Sequence, residues 1–159
     1  MLKVKMSTTD RQSGFPNTPA LRALIKRAVR TTLSLEGLEG LFEVEVTLTD
    51  NEGIREYNKN YRGIDKETDV LSFPLYDPAS SFRYAEDQYV PLGDIVLSLE
   101  QAKKQSDTFG HSFERETAYL VAHSTLHLLG MDHERSDAED ALMREKQNAV
   151  MASLGLEVG

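Results

Sequence analysis

Two different periods of hydrophobic residues run through the chain, and together they predict a protein of mixed α and β structure. Apolar and polar residues alternate one by one at residues 2–6 and 42–48, the pattern of strands with one buried face. Short apolar runs at residues 70–73 and 92–97 predict two more strands, the second antiparallel to the first. Between the first strand and the first helix, residues 7–17 are polar and are expected to form a loop.

The longer period, with apolar residues three and four positions apart, predicts about five helices. Four of them follow a side chain able to accept a hydrogen bond from the first turn, and these capping residues are Thr18, Asp50, Ser98 and Ser136. Ser98 with Gln101 and Ser136 with Glu139 are expected to form capping boxes, and the remaining helix opens at residues 111–112. Residues 75–91 show no period and are expected to form a long loop, either a functional flap or a mobile connection. Without a repeat or linker, the pattern predicts a single α+β domain over residues 1–159.

Composition narrows the classes of function. The chain contains no cysteine, so it has no disulfides, and any metal ion would be bound by histidine, aspartate or glutamate. No apolar run approaches the ~20 residues that cross a bilayer, and the N-terminal segment lacks the apolar stretch of a secretion signal. We therefore expect a soluble cytoplasmic protein without a membrane partner.

The distribution of charge limits how the protein could bind nucleic acid. A formal charge of −8 excludes a surface covered with phosphate-binding side chains, so any such contact requires a local basic patch. The most basic surface is on the first helix, where Arg22, Lys26 and Arg30 repeat every four residues. This stripe is either a solvated face or, together with Lys59 and Lys66, part of a positive groove for RNA.

Three of the four histidines lie close together near the C-terminal end. His123 and His127 are one helical turn apart, so both imidazoles can face one point. Gly130 is expected to end the helix, which lets His133 return towards the same point. Three imidazoles suit a zinc ion and leave a fourth coordination position open, which favours catalysis over a purely structural site. A fourth ligand from the chain, such as His111, would instead close the site.

The residue after the first histidine separates two kinds of zinc enzyme. The spacing equals that of the metzincin metalloproteases, but Ser124 stands where those enzymes have a glutamate general base. A zinc peptidase is therefore disfavoured. The proton acceptor of any reaction stays unassigned, with Asp132, Glu134 and groups of the substrate as alternatives. Asp69 and Asp94 either orient ligands or simply stabilise the ends of strands.

Three blocks of residues, in the order of the chain, resemble the YbeY family of bacterial metal-dependent single-strand endoribonucleases of ribosomal RNA maturation. The most specific block is the three-histidine segment at residues 123–133, with small residues after the first histidine. Tyr61 and Arg62, with residues 68–74, are similar to a second block, and residues 92–95 are similar to a third. The resemblance runs through most of the chain.

The resemblance implies a fold, a cofactor and a substrate. It implies a mixed four-stranded sheet flanked by helices, and one Zn²⁺ ion per chain bound by His123, His127 and His133. Arg62 and His123 would be catalytic. The implied reaction is cleavage of single-stranded RNA in ribosomal RNA processing, including maturation of the 3′ end of the small-subunit RNA, and in ribosome quality control.

The same resemblance names the partners and leaves one alternative of another class. The expected partners are ribosomal RNA, the small ribosomal subunit and its assembly factors, and no binding to DNA is expected. The alternative is a non-catalytic ribosome-assembly factor whose zinc only holds the last helices together. Removing the metal would then unfold the protein without any loss of chemistry.

Overall fold

The computed structural model describes residues 1–77 and 87–157 and contains four strands and five helices within them. In chain order the elements are β1 (Leu2–Asp10), α1 (Pro19–Leu35), β2 (Gly40–Thr49), α2 (Asn51–Arg62), β3 (Val70–Pro74), β4 (Val90–Ser98), α3 (Leu99–Phe109), α4 (Phe113–Leu128) and α5 (Asp137–Leu154). The predicted α+β domain is thereby confirmed. No helix in these two ranges combines the length and apolarity needed to span a bilayer.

The strands form one mixed sheet in the order β1-β2-β4-β3. Strands β1, β2 and β4 are parallel, whereas β3 is antiparallel to β4, as the sequence predicted for this pair. Parallel neighbours need long connections, and helices provide them between β1 and β2 and between β2 and β4. The short strand β3 lies at one edge of the sheet, so its outer side is open to other elements.

Two boundaries differ from the sequence prediction. The first strand was predicted to end at residue 6, and this was wrong, because β1 continues to Asp10 by pairing residues 7–10 with residues 45–48 of β2. A strand at a sheet edge can keep polar side chains in solvent, so its hydrophobic alternation fades before its backbone pairing does. The long loop predicted at residues 75–91 is shorter, because β4 begins at Val90, and residues 78–86 lie outside the described residues.

All four predicted capping residues begin helices, and Ser112 caps α4 in the same way. In each of the five the side-chain oxygen accepts a hydrogen bond from the backbone N–H three residues ahead. Such a cap stabilises a helix by about 1 kcal/mol. The reciprocal hydrogen bond of both predicted capping boxes is absent, since Glu139 instead accepts from the backbone N–H of Asp132 and from Arg135. The side chain of Gln101 contacts Asn51 and Gln105. This contact joins the starts of α2 and α3.

The two faces of the sheet are covered unequally. The main core lies on one face, where alternate residues of β2 pack together with apolar residues of α1, α4 and α5. On the other face, α2 covers β3 and β4 through a small cluster of Ile54, Leu71 and Val96. The edge strand β3 therefore lies between α4 on one side and α2 on the other, and a cleft opens along its free edge.

A candidate metal centre in a cleft beside the edge strand

The end of α4 brings the three histidines together. His123 and His127 lie one turn apart on this helix, which ends at Leu128 with Leu129 as its capping residue. Gly130 then adopts a φ of +100°, a conformation that glycine enters without a Cβ clash. The backbone N–H of Met131 donates to the carbonyl of Leu126 at 3.1 Å, which turns the chain back so that His133 faces the helix.

Nitrogen atoms from all three rings converge on one point. His127 Nε2 lies 3.1 Å from His123 Nε2 and 3.0 Å from His133 Nδ1. Zinc at about 2.0 Å from each nitrogen in a tetrahedral arrangement would set them about 3.3 Å apart, so the observed separations fit such an ion. Within the part of the chain that the structure describes, this is the only group of three side chains arranged for a metal ion.

The tautomers also suit a cation. Nδ1 of His123 lies 3.2 Å from Oε1 of Gln147, which can only accept a hydrogen bond, so the ring proton of His123 belongs on Nδ1. Nε2 of His123 is then an unprotonated nitrogen that faces His127. His127 Nε2 faces two nitrogens, and it can carry only one hydrogen, so hydrogen bonds alone cannot join all three rings. A shared cation is the common partner that satisfies the three nitrogens.

Burial keeps the imidazoles of His123 and His127 in the neutral form that binds metals. It lowers the pKa of His123 below its ordinary value of 6.5, and it lowers the pKa of His127 to about 4. The neighbouring imidazoles add to both effects, since a charge on one ring disfavours a charge on the next. Both rings are therefore neutral at pH 7, as coordination requires.

Gln147 was not among the residues predicted from the sequence. It lies on α5, is buried, and holds its amide between Nδ1 of His123 and the carbonyl of Tyr119, which its Nε2 contacts at 3.3 Å. The only signal in the sequence is position, because Gln147 stands on the apolar stripe of α5 between Met143 and Val150. A polar residue on a buried stripe requires a partner, but the sequence does not say which one.

Ser124, which replaces the glutamate of the peptidases, has a structural contact. Its side chain is fully buried, and its Oγ lies 2.6 Å from Oγ of Ser72 in β3. The hydrogen bond ties α4 to the edge strand, and Ser124 does not line the cleft. The position after His123 therefore supplies no general base.

The cleft has a volume of about 620 Å³ and is lined by α3, α4, α5, β3 and the end of α2. Arg62, the last residue of α2, lines the same cleft as the three histidines. Its side chain is exposed, and no hydrogen bond or ion pair joins it to any residue within 1–77 or 87–157. The structure thus brings all the predicted site residues, Arg62, His123, His127 and His133, into one cleft with the guanidinium available to a ligand.

The fourth histidine, His111, pairs with a carboxylate and not with the other three histidines. Nε2 of His111 lies 2.5 Å from Oε2 of the buried Glu116, whose other oxygen accepts a hydrogen bond from Gln105 at 2.9 Å. His111 is not part of the three-histidine group. The arrangement in which His111 closes the metal site is therefore not present.

The acidic candidates differ in their surroundings. Asp132 and Glu134 both line the cleft, and the backbone N–H of Glu134 donates to Asp132 at 2.9 Å, which lowers the pKa of Asp132 and weakens it as a base. Asp69 also lines the cleft, but it accepts the N–H of Val70 at 2.7 Å and so stabilises the start of β3. Asp94 does not line the cleft.

The basic stripe of α1 lies outside the cleft. Arg22, Lys26 and Arg30 are absent from its lining, as are Lys59 and Lys66. The guanidinium of Arg22 donates to the carbonyl of Asn17 at 2.7 Å. The predicted positive groove is therefore not part of this cleft.

Fold and site together define a class of protein, namely an α+β domain with a three-histidine metal centre in an open cleft. Comparison with known proteins is more specific, since a family model described as Endoribonuclease YbeY matches residues 5–155. The Endoribonuclease YbeY of Caldanaerobacter subterraneus subsp. tengcongensis is 53% identical over 153 residues, which cover 92% of this chain and 96% of that relative. The chain therefore belongs to the endoribonuclease YbeY family.

One further relative agrees in sequence, and one solved structure agrees in fold. The Endoribonuclease YbeY of Clostridioides difficile is 42% identical over 147 residues, covering 92% of this chain and 94% of the relative. The solution structure of TM1509 from Thermotoga maritima matches with a TM-score of 0.56 and covers 94% of this chain and 91% of that one. Its sequence identity of 23% makes it evidence for the fold alone.

Proposed function

We propose that this protein is a metal-dependent endoribonuclease whose single domain, residues 1–159, cleaves single-stranded RNA. The observation that carries the proposal is the cleft that is lined by three converging imidazoles and by Arg62, whose guanidinium has no partner among residues 1–77 and 87–157. Membership of the endoribonuclease YbeY family supports RNA as the substrate class. The biological role is ribosomal RNA processing, including maturation of the 3′ end of the small-subunit RNA, and ribosome quality control in the cytoplasm.

The cofactor is one Zn²⁺ ion per chain, held by His123, His127 and His133. Three imidazole nitrogens suit zinc as ligands, and the short separations between the nitrogens fit its small coordination sphere. When bound, the ion supplies Lewis-acid chemistry that polarises a phosphoryl oxygen and makes water more acidic. The protein itself holds the ligands in place, and Gln147 does this for His123 through a buried hydrogen bond.

Arg62 binds the phosphate of the scissile bond. A guanidinium can donate two parallel hydrogen bonds to the non-bridging oxygens, and it stabilises the negative charge that grows on them during cleavage. The Arg62 side chain is exposed and unpaired within the described ranges, so it can bind a phosphate without first breaking an ion pair with a carboxylate there. His123 is the other residue that we place in the reaction, since it is a ligand at the reacting centre.

The partners follow from this role. Ribosomal RNA is the substrate, and the small ribosomal subunit with its assembly factors presents it. The acidic charge of −8 argues against general binding to nucleic acid, and with it against DNA as a substrate. Selection of the RNA then depends on the cleft and on partner proteins.

The test is cleavage of an end-labelled single-stranded RNA by the purified, zinc-loaded protein. We expect the wild type to cut, and we expect chelated protein and Arg62→Ala to lose the activity while Arg62→Ala keeps its metal and its melting temperature. Arg11→Ala, which removes an exposed arginine outside the cleft, is the matched control and should cut normally.

Two outcomes would contradict the proposal. Equal cleavage by all four preparations would identify a contaminating nuclease. A folded, zinc-loaded wild type that cuts no RNA would instead favour the non-catalytic assembly factor, in which the metal only joins α4 to the segment that follows it.

A further inference from the structure

The two most exposed aromatic residues among the described residues lie in the lining of the cleft and directly beside it. Tyr61 is 70% exposed and Phe109 is 63% exposed. Phe109 lines the cleft directly, and Tyr61 precedes the cleft-lining Arg62 at the end of α2. Large apolar rings on a surface mark binding sites when they cluster at a cavity rather than lie scattered.

Tyr61 is exposed but held in a defined orientation. Its ring stacks on that of Tyr57, with centroids 6.0 Å apart and planes inclined by 20°, and it meets the ring of Phe73 edge to face at 5.5 Å. Tyr57 and Phe73 themselves pack against the small core under α2. The ring of Tyr61 is therefore supported on one side and open to solvent on the other.

The two rings lie near opposite ends of β3, the strand that lines one side of the cleft. Tyr61 contacts Phe73, near the end of β3, whereas Phe109 is one turn beyond Gln105, which reaches Asp69 at the start of β3. Four residues of a strand separate these ends, a distance of about 13 Å. Between these ends, Ser72 of β3 contacts Ser124 of α4, the residue that follows His123. The metal ligands of α4 thus lie along the path from one ring to the other.

The charge of the cleft shows that phosphate contacts are not enough to hold a nucleic acid there. The described lining has two guanidinium groups and five carboxyl groups, the latter on Asp69, Glu116, Asp132, Glu134 and Asp140. Even with a divalent cation on the histidines, the carboxylates outnumber the positive charges. Affinity must therefore come largely from uncharged parts of the polymer, and the faces of the bases are the largest of these.

We propose that Tyr61 and Phe109 are stacking platforms for nucleobases on the two sides of the scissile phosphate. This inference rests on the proposed endoribonuclease function and extends it from the reacting phosphate to the flanking nucleotides. Stacking on an aromatic side chain requires a base that is free of its own neighbours. The two rings therefore select single-stranded RNA over a duplex, whose bases are already stacked.

The test compares RNA with a ribose-phosphate polymer that lacks bases. Binding of fluorescein-labelled single-stranded RNA and of an abasic oligomer of equal length is measured by fluorescence anisotropy with zinc-loaded, full-length protein. Tyr61→Leu and Phe109→Leu should each weaken binding of RNA by about tenfold and leave binding of the abasic oligomer unchanged. Tyr61→Phe, which keeps the ring, should bind like wild type.

Controls separate a lost ring from a lost fold. Leu35→Ala removes an exposed apolar side chain on α1, outside the cleft, and should change neither affinity. Equal weakening of RNA and abasic oligomer by the leucine variants would overturn the proposal, because it would indicate a lost shape or charge rather than lost stacking. Wild-type affinity for RNA in both leucine variants would also overturn it.

Failure of this inference is distinguishable from failure of the proposed function. If the wild type cuts RNA and the leucine variants bind RNA equally well, the endoribonuclease stands and the stacking platforms are wrong. If the wild type neither binds nor cuts RNA, the proposed function fails and this inference fails with it.

Discussion

The two walls of the cleft are built in opposite ways. On the α4 wall, a buried glutamine holds His123 and Ser124 ties the helix to β3, so this wall is fixed by packing and hydrogen bonds. On the α2 wall, Arg62 is exposed and has no hydrogen-bonding partner among residues 1–77 and 87–157. One wall is preorganised for a small ion, and the other is open to a large, variable polymer.

The difference has a physical reason. A metal ion tolerates errors of only a few tenths of an ångström in its ligands, so packing and hydrogen bonds must hold them. The guanidinium of Arg62 stands at the end of a long, exposed side chain, so it can adjust to a phosphate without being held in advance. Changes on the α4 wall should therefore alter metal binding, whereas changes on the α2 wall should alter only the handling of RNA.

The largest expected effect is the loss of a metal ligand. His127→Ala should reduce RNA cleavage on the order of a thousandfold, because two remaining imidazoles hold zinc weakly. Metal content by elemental analysis should fall well below one ion per chain. His111→Gln is the matched control, since that histidine pairs with Glu116 and should leave the metal content unchanged. Full zinc occupancy in His127→Ala would contradict the three-histidine site.

On the opposite wall, Arg62→Lys keeps the positive charge and removes the planar pair of donors. We expect kcat to fall about a hundredfold, since an ammonium group cannot contact both phosphate oxygens in the same way. Zinc affinity and melting temperature should not change, because Arg62 is exposed and unpaired within the described ranges. A loss of zinc in this variant would break the contrast between the two walls.

The contrast can be sharpened at Gln147, which acts on the metal through His123. Gln147→Leu should weaken zinc binding by about ten- to a hundredfold, because Nδ1 of His123 loses its acceptor and the ring loses its fixed tautomer. Competition with a chromogenic chelator measures the affinity, and ¹⁵N NMR of the imidazole reports the tautomer. Gln147→Glu keeps the acceptor and should restore both, whereas a structural role alone would move only the stability.

The smallest expected effect is the dependence of stability on pH in the metal-free protein. The imidazole of His127 takes up a proton near pH 6.5 in the unfolded chain but only near pH 4 in the folded protein, because burial lowers its pKa. The unfolded chain therefore binds more protons between these values, and stability is complete above pH 6.5 and falls as the pH decreases to about 4.

The magnitude is modest because the ring is partly exposed. We expect His127 to account for a loss of about 1 to 2 kcal/mol of unfolding free energy across this range. Urea unfolding of metal-free wild type and of His127→Gln at several pH values measures it, and the variant should lack this part of the dependence. If the unfolding free energies of the two proteins fell in parallel with decreasing pH, the titrating group would lie elsewhere.

Much of the fold could be predicted because its signals are local. Each cap joins residues only three positions apart, and all four predicted capping residues begin helices as expected. The antiparallel pair of β3 and β4 and the three-histidine cluster were also predicted correctly. The end of β1 was not, because four polar residues stay in the strand only through pairing with β2.

The sequence by itself determined the three histidines as one group, because helix geometry fixes which residues share a face and glycine marks where the chain turns. The tertiary structure decided what surrounds them. The partners of His123 and Ser124 are Gln147 and Ser72, at separations of 24 and 52 residues, and Arg62 reaches the cleft from a different face of the sheet. Such contacts depend on how whole elements pack, and no local period in the chain encodes them.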